Sequence, residues 1–366
     1  MKVLFRESYE QDLGLFRDNN QKFRYFLLLC LAVVLPFILG DFFLGEATLF
    51  LIWAIGGMSL MILVGHTGLA SLGHAAFLAI GAYTTVLMQT KLGIPFLLSL
   101  ILGGLLSSLV GVIIAIPSTR LHIIYIAIVT LAISILVDDI IVLSESLTGG
   151  VSGIYAPKIV ILGVEFDRYS NIDRLYWLVL IILITLVLIY KNILRSPLGR
   201  AFIAVRDSEI SAAAMGINVK KAKILSFAVS CFYGGICGGL MGHFSTVFNN
   251  ETFNLLVSIN LLLMIVVGGL GSIHGAFFGA AILSLLPVFI AIIRDGISSF
   301  FDVSFYSIPG LETFIFCLMV IFCILYEPMG VNGLWQKIRI FWELFPLGGK
   351  TFFSKQKSFL KTDRLK

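Results

Sequence analysis

Charge is scarce in this chain. Lys and Arg number 26 and Asp and Glu 21, so 13% of its 366 residues are charged, about half the roughly one-quarter share of a soluble domain. With 58% apolar residues and a mean hydropathy of +1.01, the chain cannot cover a globule of its own size with polar surface. That excludes a soluble enzyme and a disordered protein. Cysteine is also rare: Cys30, Cys231, Cys237, Cys317 and Cys323 all fall inside apolar runs. Buried free thiols are expected, which excludes a secreted disulfide scaffold, and the spacing is not that of a zinc site. The first 24 residues mix charges of both signs and lack an early apolar core, so no signal peptide is expected there.

Catalytic motifs are missing as well. No acid, base, nucleophile or metal-ligand set is clustered. Gly349-Lys350-Thr351 ends like a phosphate-binding loop, but the glycine that must stand five residues before Gly349 is Leu344. The chain is therefore expected to bind no cofactor of its own. The formal charge of +5 is placed to suit a membrane topology and does not indicate nucleic-acid binding. His66, His74 and His274 lie in Gly-rich breaks, and His122 and His243 near the ends of apolar segments. Each is expected to hydrogen-bond backbone groups freed where a helix breaks. Asp138-Asp139 stands towards the end of an apolar run; an intramembrane site and an interfacial position are both open.

What the chain does have is apolar runs, ten of them, near 25–44, 49–65, 71–90, 94–117, 122–143, 175–193, 224–244, 255–268, 273–293 and 311–327. At about 20 residues per crossing, the expectation is an all-α polytopic membrane protein with about ten transmembrane helices. The 35 glycines and 31 phenylalanines suit closely packed helices with lipid-facing aromatics. The eighth run is too short to span about 30 Å alone and leads into a Gly-rich break, as does the stretch His66–Gly73. Such breaks are tolerated only where protein or a water-filled cavity surrounds them.

If each run crosses once and the N-terminus is cytoplasmic, 21 of the 26 Lys and Arg residues fall inside. That asymmetry predicts ten crossings with both termini cytoplasmic. The expected organisation is a cytoplasmic arm over 1–24, a transmembrane domain over 25–330 with a cytoplasmic loop at 195–223, and an amphipathic basic tail over 331–366. In the tail, Trp335, Ile338, Phe341, Trp342 and Phe345 recur at roughly helical spacing. Residues 61–82 and 264–281 also echo one another, each passing from an apolar helix through a Gly-rich break into a small-residue helix. Duplication and convergent composition both explain the echo.

The loop reads RSPLGRAFIAVRDSEISAAAMGINVKKAK over 195–223. Phe202, Val205, Ile210, Ala212, Ala213 and Met215 give a weakly apolar helix face. Gly216 then turns the chain and Asn218 can cap the next helix. Such a helix between two spans suits docking into a groove on a partner.

This loop resembles the cytoplasmic loop of LivM-type permeases of branched-chain amino acid ABC transporters. GLASLGHAAFLAIGAYT (68–84), LTGGVSGI (147–154) and VVGGLGSIHGAFFGA (266–280) are similar to other signature stretches of that family, and the likeness runs from about residue 49 to 290. The resemblance implies a permease subunit of an ATP-driven importer in a bacterial inner membrane. A second permease subunit, two ATPase subunits that hold ATP and magnesium, and a periplasmic substrate-binding protein would accompany it. The loop would carry the helix that couples to the ATPase, involving Arg206, Asp207, Glu209, Ala213 and Gly216, with Glu209 and Gly216 at its characteristic acidic and glycine positions. The breaks, with Gly68, Ser71, Gly73 and His74 in one and Gly268, Gly269, Gly271 and Ser272 in the other, would be hinges near the translocation path. Branched-chain amino acids are the expected cargo; urea, amides or other small organic solutes are the alternative within the class. An ion-coupled secondary transporter, the alternative outside it, would need Asp138-Asp139.

Overall fold

The computed structural model describes residues 19–119, 123–161, 163–301 and 330–344, with a few positions between 314 and 325. The run at 311–327, most of the N-terminal arm, the tail beyond residue 344, and His122 lie largely or wholly outside the described residues.

The described residues are predominantly helical. Long helices are α1 (Asn19–Ile38), α2 (Asp41–Leu60), α3 (His74–Leu92), α4 (Phe96–Ser118), α5 (Ile123–Leu143) and α6 (Ile172–Arg195). Two short helices follow, α7 (Pro197–Asp207) and α8 (Glu209–Ala214), before α9 (Val219–Ser245), α10 (Leu255–Gly268), α11 (Ile273–Phe301) and α12 (Gly330–Leu344). The strands are two-residue or three-residue pieces. Ile154–Tyr155 pairs antiparallel with Val247–Phe248, and Ile159–Ile161 with Val164–Phe166.

Seven described segments are long and apolar enough to cross a membrane: Asp41–His66, Phe96–Ser118, Tyr125–Leu143, Ile172–Arg195, Val219–Ser245, Asn250–Gly268 and Ile273–Ile290. The protein is thus an α-helical, multi-spanning membrane protein. Helices α1 and α3 match expected runs in place but are not among the seven.

Several boundaries differ from those expected. The run 25–44 is cut at Leu39-Gly40, so that α2 begins at Asp41 and absorbs the end of the first run. The apolar run resumes at Phe42, Phe43 and Leu44, and the sign of the cut in the sequence is the pair Gly40-Asp41 between the flanks. At its other end α2 widens into a π-helical turn over Met61–His66. Helix α3 begins at His74, three residues later than the run at 71–90.

Helices α2 and α9 form the centre, with 72% and 67% of their apolar windows buried against 22–39% for the other five spans. Glycine allows that centrality for α9. A Cβ on Gly238 would overlap the Leu78 carbonyl oxygen of α3, and one on Gly235 would stand 2.9 Å from Gly104 Cα of α4. Only a bare backbone permits such approach. Across the α2–α9 contact, Ser59 and Ser230 each donate a side-chain hydroxyl to the other's carbonyl, at 2.6 and 2.8 Å.

One end of the bundle gathers pieces from the whole chain. Tyr25 Oη of α1 meets His274 Nε2 of α11 at 2.8 Å, and Lys191 Nζ of α6 lies 4.2 Å from the Tyr25 ring centroid. A Cβ on Gly330, which opens α12, would sit 2.6 Å from Gly269 N. The loop 196–218 lies at this same end. At the other end the pairing of Ile154 with Phe248 ties the loop after α5 to the loop after α9, and the Arg168 guanidinium stands 4.2 Å over the Phe244 ring.

Candidate functional site

The two Gly-rich breaks, more than two hundred residues apart in the chain, are packed against each other. Helix α2 ends because Gly68, at φ +75°, reverses the chain. Helix α10 ends the same way, with Gly269 at +112° and Gly271 at +80°. Residues with a Cβ rarely adopt these angles. A Cβ on Gly65 would lie 2.9 Å from Gly271 N, and Gly271 N donates to Met61 Sδ at 3.2 Å.

Breaking a helix frees backbone groups that have to be paired again. Here hydroxyls do most of that work. Thr67 Oγ1 donates to Ile62 O at 3.1 Å, Leu72 N donates to Thr130 Oγ1 at 3.1 Å, and Ala75 N to Ser258 Oγ at 2.8 Å. Gly275 N donates to Ser272 Oγ at 2.9 Å. Gly73 is needed for a different reason: a Cβ there would overlap the Thr130 carbonyl oxygen.

The histidines do not perform the capping expected of them at the breaks. His74, fully buried, bonds Ser59 Oγ through Nε2, and His274 bonds the Tyr25 hydroxyl. His66 is buried with its ring edge-on to Tyr190. His243, beyond the breaks, contacts Gly239 O through Nδ1 at 2.8 Å and Gln89 Nε2 through Nε2 at 2.9 Å. Buried His66 Nε2, Ser71 Oγ and His74 Nδ1 have no hydrogen-bond partner among the described residues. Among the same residues no group of three His, Cys, Asp or Glu side chains could hold a metal.

The loop folds as two short helices. Pro197 opens α7 at a position where its missing N–H costs nothing. Phe202 and Val205 face inward at 0% and 2% exposure. Ser208 is extended, and its side chain caps α8 by accepting from Ser211 N at 3.2 Å. Gly216, at φ +83°, then ends α8 with nothing within 4 Å of a Cβ position. Asn218 caps α9, accepting from Lys221 N at 3.0 Å.

The apolar face read from the loop sequence is therefore divided. Phe202, Val205 and Ala212 pack into the protein, while Ile210 and Met215 stand 85% and 84% exposed, beside exposed Ala213 and Gly216.

The charged residues of the loop bond within the chain. Glu209 pairs with Lys223 at 2.8 Å, and the lysine side chain is only 3% exposed. Arg206 pairs with Asp207 at 3.0 Å and donates from Nη1 to Gly65 O at 2.9 Å. Loop and breaks are thus one connected site. Sequence reasoning missed Lys223, which nothing in the sequence sets apart from its neighbours Lys220 and Lys221 at the start of α9. It also missed Ser59, Thr130 and Ser258, which nothing distinguishes from other helix hydroxyls. In the last two turns of α5, Asp138 is half-buried and Asp139 exposed.

The site is thus a pair of glycine breaks packed together inside a bundle of apolar spans. Residues 42–325 match the family described as branched-chain amino acid transport system / permease component. The chain belongs to that family, and it is a multi-pass protein of the bacterial inner membrane. Over 285 residues it is 33% identical to the high-affinity branched-chain amino acid transport system permease protein LivM of Escherichia coli, covering 72% of this chain and 67% of that one. A probable LivM of Methanocaldococcus jannaschii is 27% identical over 236 residues, 64% of this chain and 67% of the relative. A probable LivH of the same organism is 23% identical over 281 residues, 75% and 86% respectively. No solved structure matches.

Proposed function

We propose that this chain is one permease subunit of an ATP-driven importer that carries branched-chain amino acids inward. The observation that carries the reading is α8: a six-residue helix anchored from inside, yet presenting Ile210, and Met215 at its C-cap, almost fully to solvent. Two large apolar side chains on and just after so small a helix suit insertion into a groove on a partner. That partner is an ATPase subunit, one of two, which bind the ATP and magnesium. A second permease, of the kind the LivH relatives represent, supplies the other half of the path, and a periplasmic binding protein delivers the solute.

The orientation follows from Lys and Arg placement. The loop 195–223 is basic, so its end of the bundle is cytoplasmic, and the Lys and Arg count of the tail assigns that segment to the same side. Ten crossings with both termini inside fit that placement, with α1, α3 and the run at 311–327 added to the seven apolar spans. The breaks then face the cytoplasmic end, where Gly68, Gly73, Gly268, Gly269 and Gly271 let helices pivot. Binding of ATP would draw the two ATPase subunits together and tilt the permease halves through α8.

Affinity purification of the tagged chain in mild detergent tests the reading. An ATPase, a second permease and ATP-dependent leucine uptake on reconstitution are expected. A chain that purifies alone and takes up solute with a proton or sodium gradient would overturn it.

A further inference from the structure

Among the described residues, the side-chain hydrogen bond from the loop to the breaks comes from Arg206. Arg206 occupies the last turn of α7, and its guanidinium enters a cleft walled by three glycines. A Cβ on Gly68 would lie 3.1 Å from Arg206 Cγ, and one on Gly271 3.2 Å from Nη1. The same Nη1 donates to the carbonyl of Gly65 at 2.9 Å. That carbonyl belongs to the final turn of the broken helix, where Val64 O and Leu63 O are taken by Gly68 N and Leu69 N. A cation at a helix C-terminus is favoured by the aligned peptide dipoles. Asp207 fixes the fork from its other side, accepting from Nε at 3.1 Å and Nη2 at 3.0 Å on one oxygen.

We propose that Arg206 is the positioning residue that transmits movement of the cytoplasmic loop to the paired breaks, its bond to Gly65 holding them closed in the state seen here. This deepens the proposed function and rests on it. Phe202 and Val205 anchor α7 in the bundle, so a push on α8 reaches the breaks through α7. A shift of one to two ångströms suffices to break a hydrogen bond at 2.9 Å. The Gly65–Gly271 contact beneath it then loses its clamp, and both breaks are released together.

The test uses the complete transporter in proteoliposomes, reading leucine taken up per ATP hydrolysed. Arg206→Gln is expected to lower that ratio about tenfold, with ATP hydrolysis and subunit co-purification retained. Arg206→Lys should fall between, since an ammonium can donate to Gly65 O but cannot engage Asp207 through a planar fork. A wild-type ratio in Arg206→Gln would overturn the inference while leaving the proposed function intact. Parallel loss of uptake, hydrolysis and assembly in both variants would also overturn it, assigning Arg206 a purely structural role. Wild-type uptake independent of ATP would overturn the proposed function and the inference with it.

Discussion

At the scale of single residues, the site depends on groups that cannot be exchanged for near equivalents. Gly73 is the sharpest case. Its φ of −113° is open to any residue, but a Cβ would overlap the Thr130 carbonyl. Gly73→Ala is therefore expected to force α3 and α5 apart at a cost of about 1–3 kcal/mol, seen as a lower unfolding temperature in detergent and lost uptake. His74→Gln should be milder, because an amide can still bond the Ser59 hydroxyl, and uptake should show the same pH profile as wild type between pH 5 and 8. A dead His74→Gln with an active Gly73→Ala would instead favour a proton-coupled histidine. Glu209→Gln leaves Lys223 buried beside a neutral partner. Because Glu209 is itself 41% exposed, the expected loss is about 1–2 kcal/mol, below that of a fully buried pair. A Glu209→Gln, Lys223→Met double variant should recover much of it, as thermal unfolding would show.

At the scale of elements, the sequence made some features plain and hid others. Apolar runs betray helices directly, because a helix in lipid must be apolar along its whole length. A break such as Leu39-Gly40 shows only as the pair Gly40-Asp41 within an otherwise apolar stretch, and the runs hide which helices lie in the centre. The turn at Gly216 and the cap at Asn218 were legible in the loop. Its division into α7 and α8 was not, because Ser208 is as good inside a turn as at a cap. Nor could sequence place Gly65 against Gly271, or Glu209 against Lys223, since these contacts join helices by packing rather than by spacing. The divided face makes a prediction of its own. Ile210→Glu should leave the fold and membrane level unchanged, since the side chain is exposed, yet weaken co-purification of the ATPase by about tenfold or more. Phe202→Glu should remove the protein from the membrane fraction, because that side chain is fully buried.

At the scale of the whole molecule, α1, α6, α11 and α12 meet at the end that also carries the loop, and the strand pairing closes the opposite end. The basic loop falls at the first of these and is expected in the cytoplasm, and the Lys and Arg distribution along the sequence leads to the same expectation for both termini. Reporter fusions after Lys223 and Lys366 should read cytoplasmic, and one after Ser170 periplasmic. The central claim, that α8 is where an ATPase drives this permease, is tested most directly by cross-linking. With Ala213→Cys in the assembled complex and a short thiol-reactive linker, a covalent adduct between this chain and an ATPase subunit is expected, formed only when both are present. Labelling of the thiol introduced at position 213 by an impermeant reagent from the periplasmic side, with no such adduct, would contradict it.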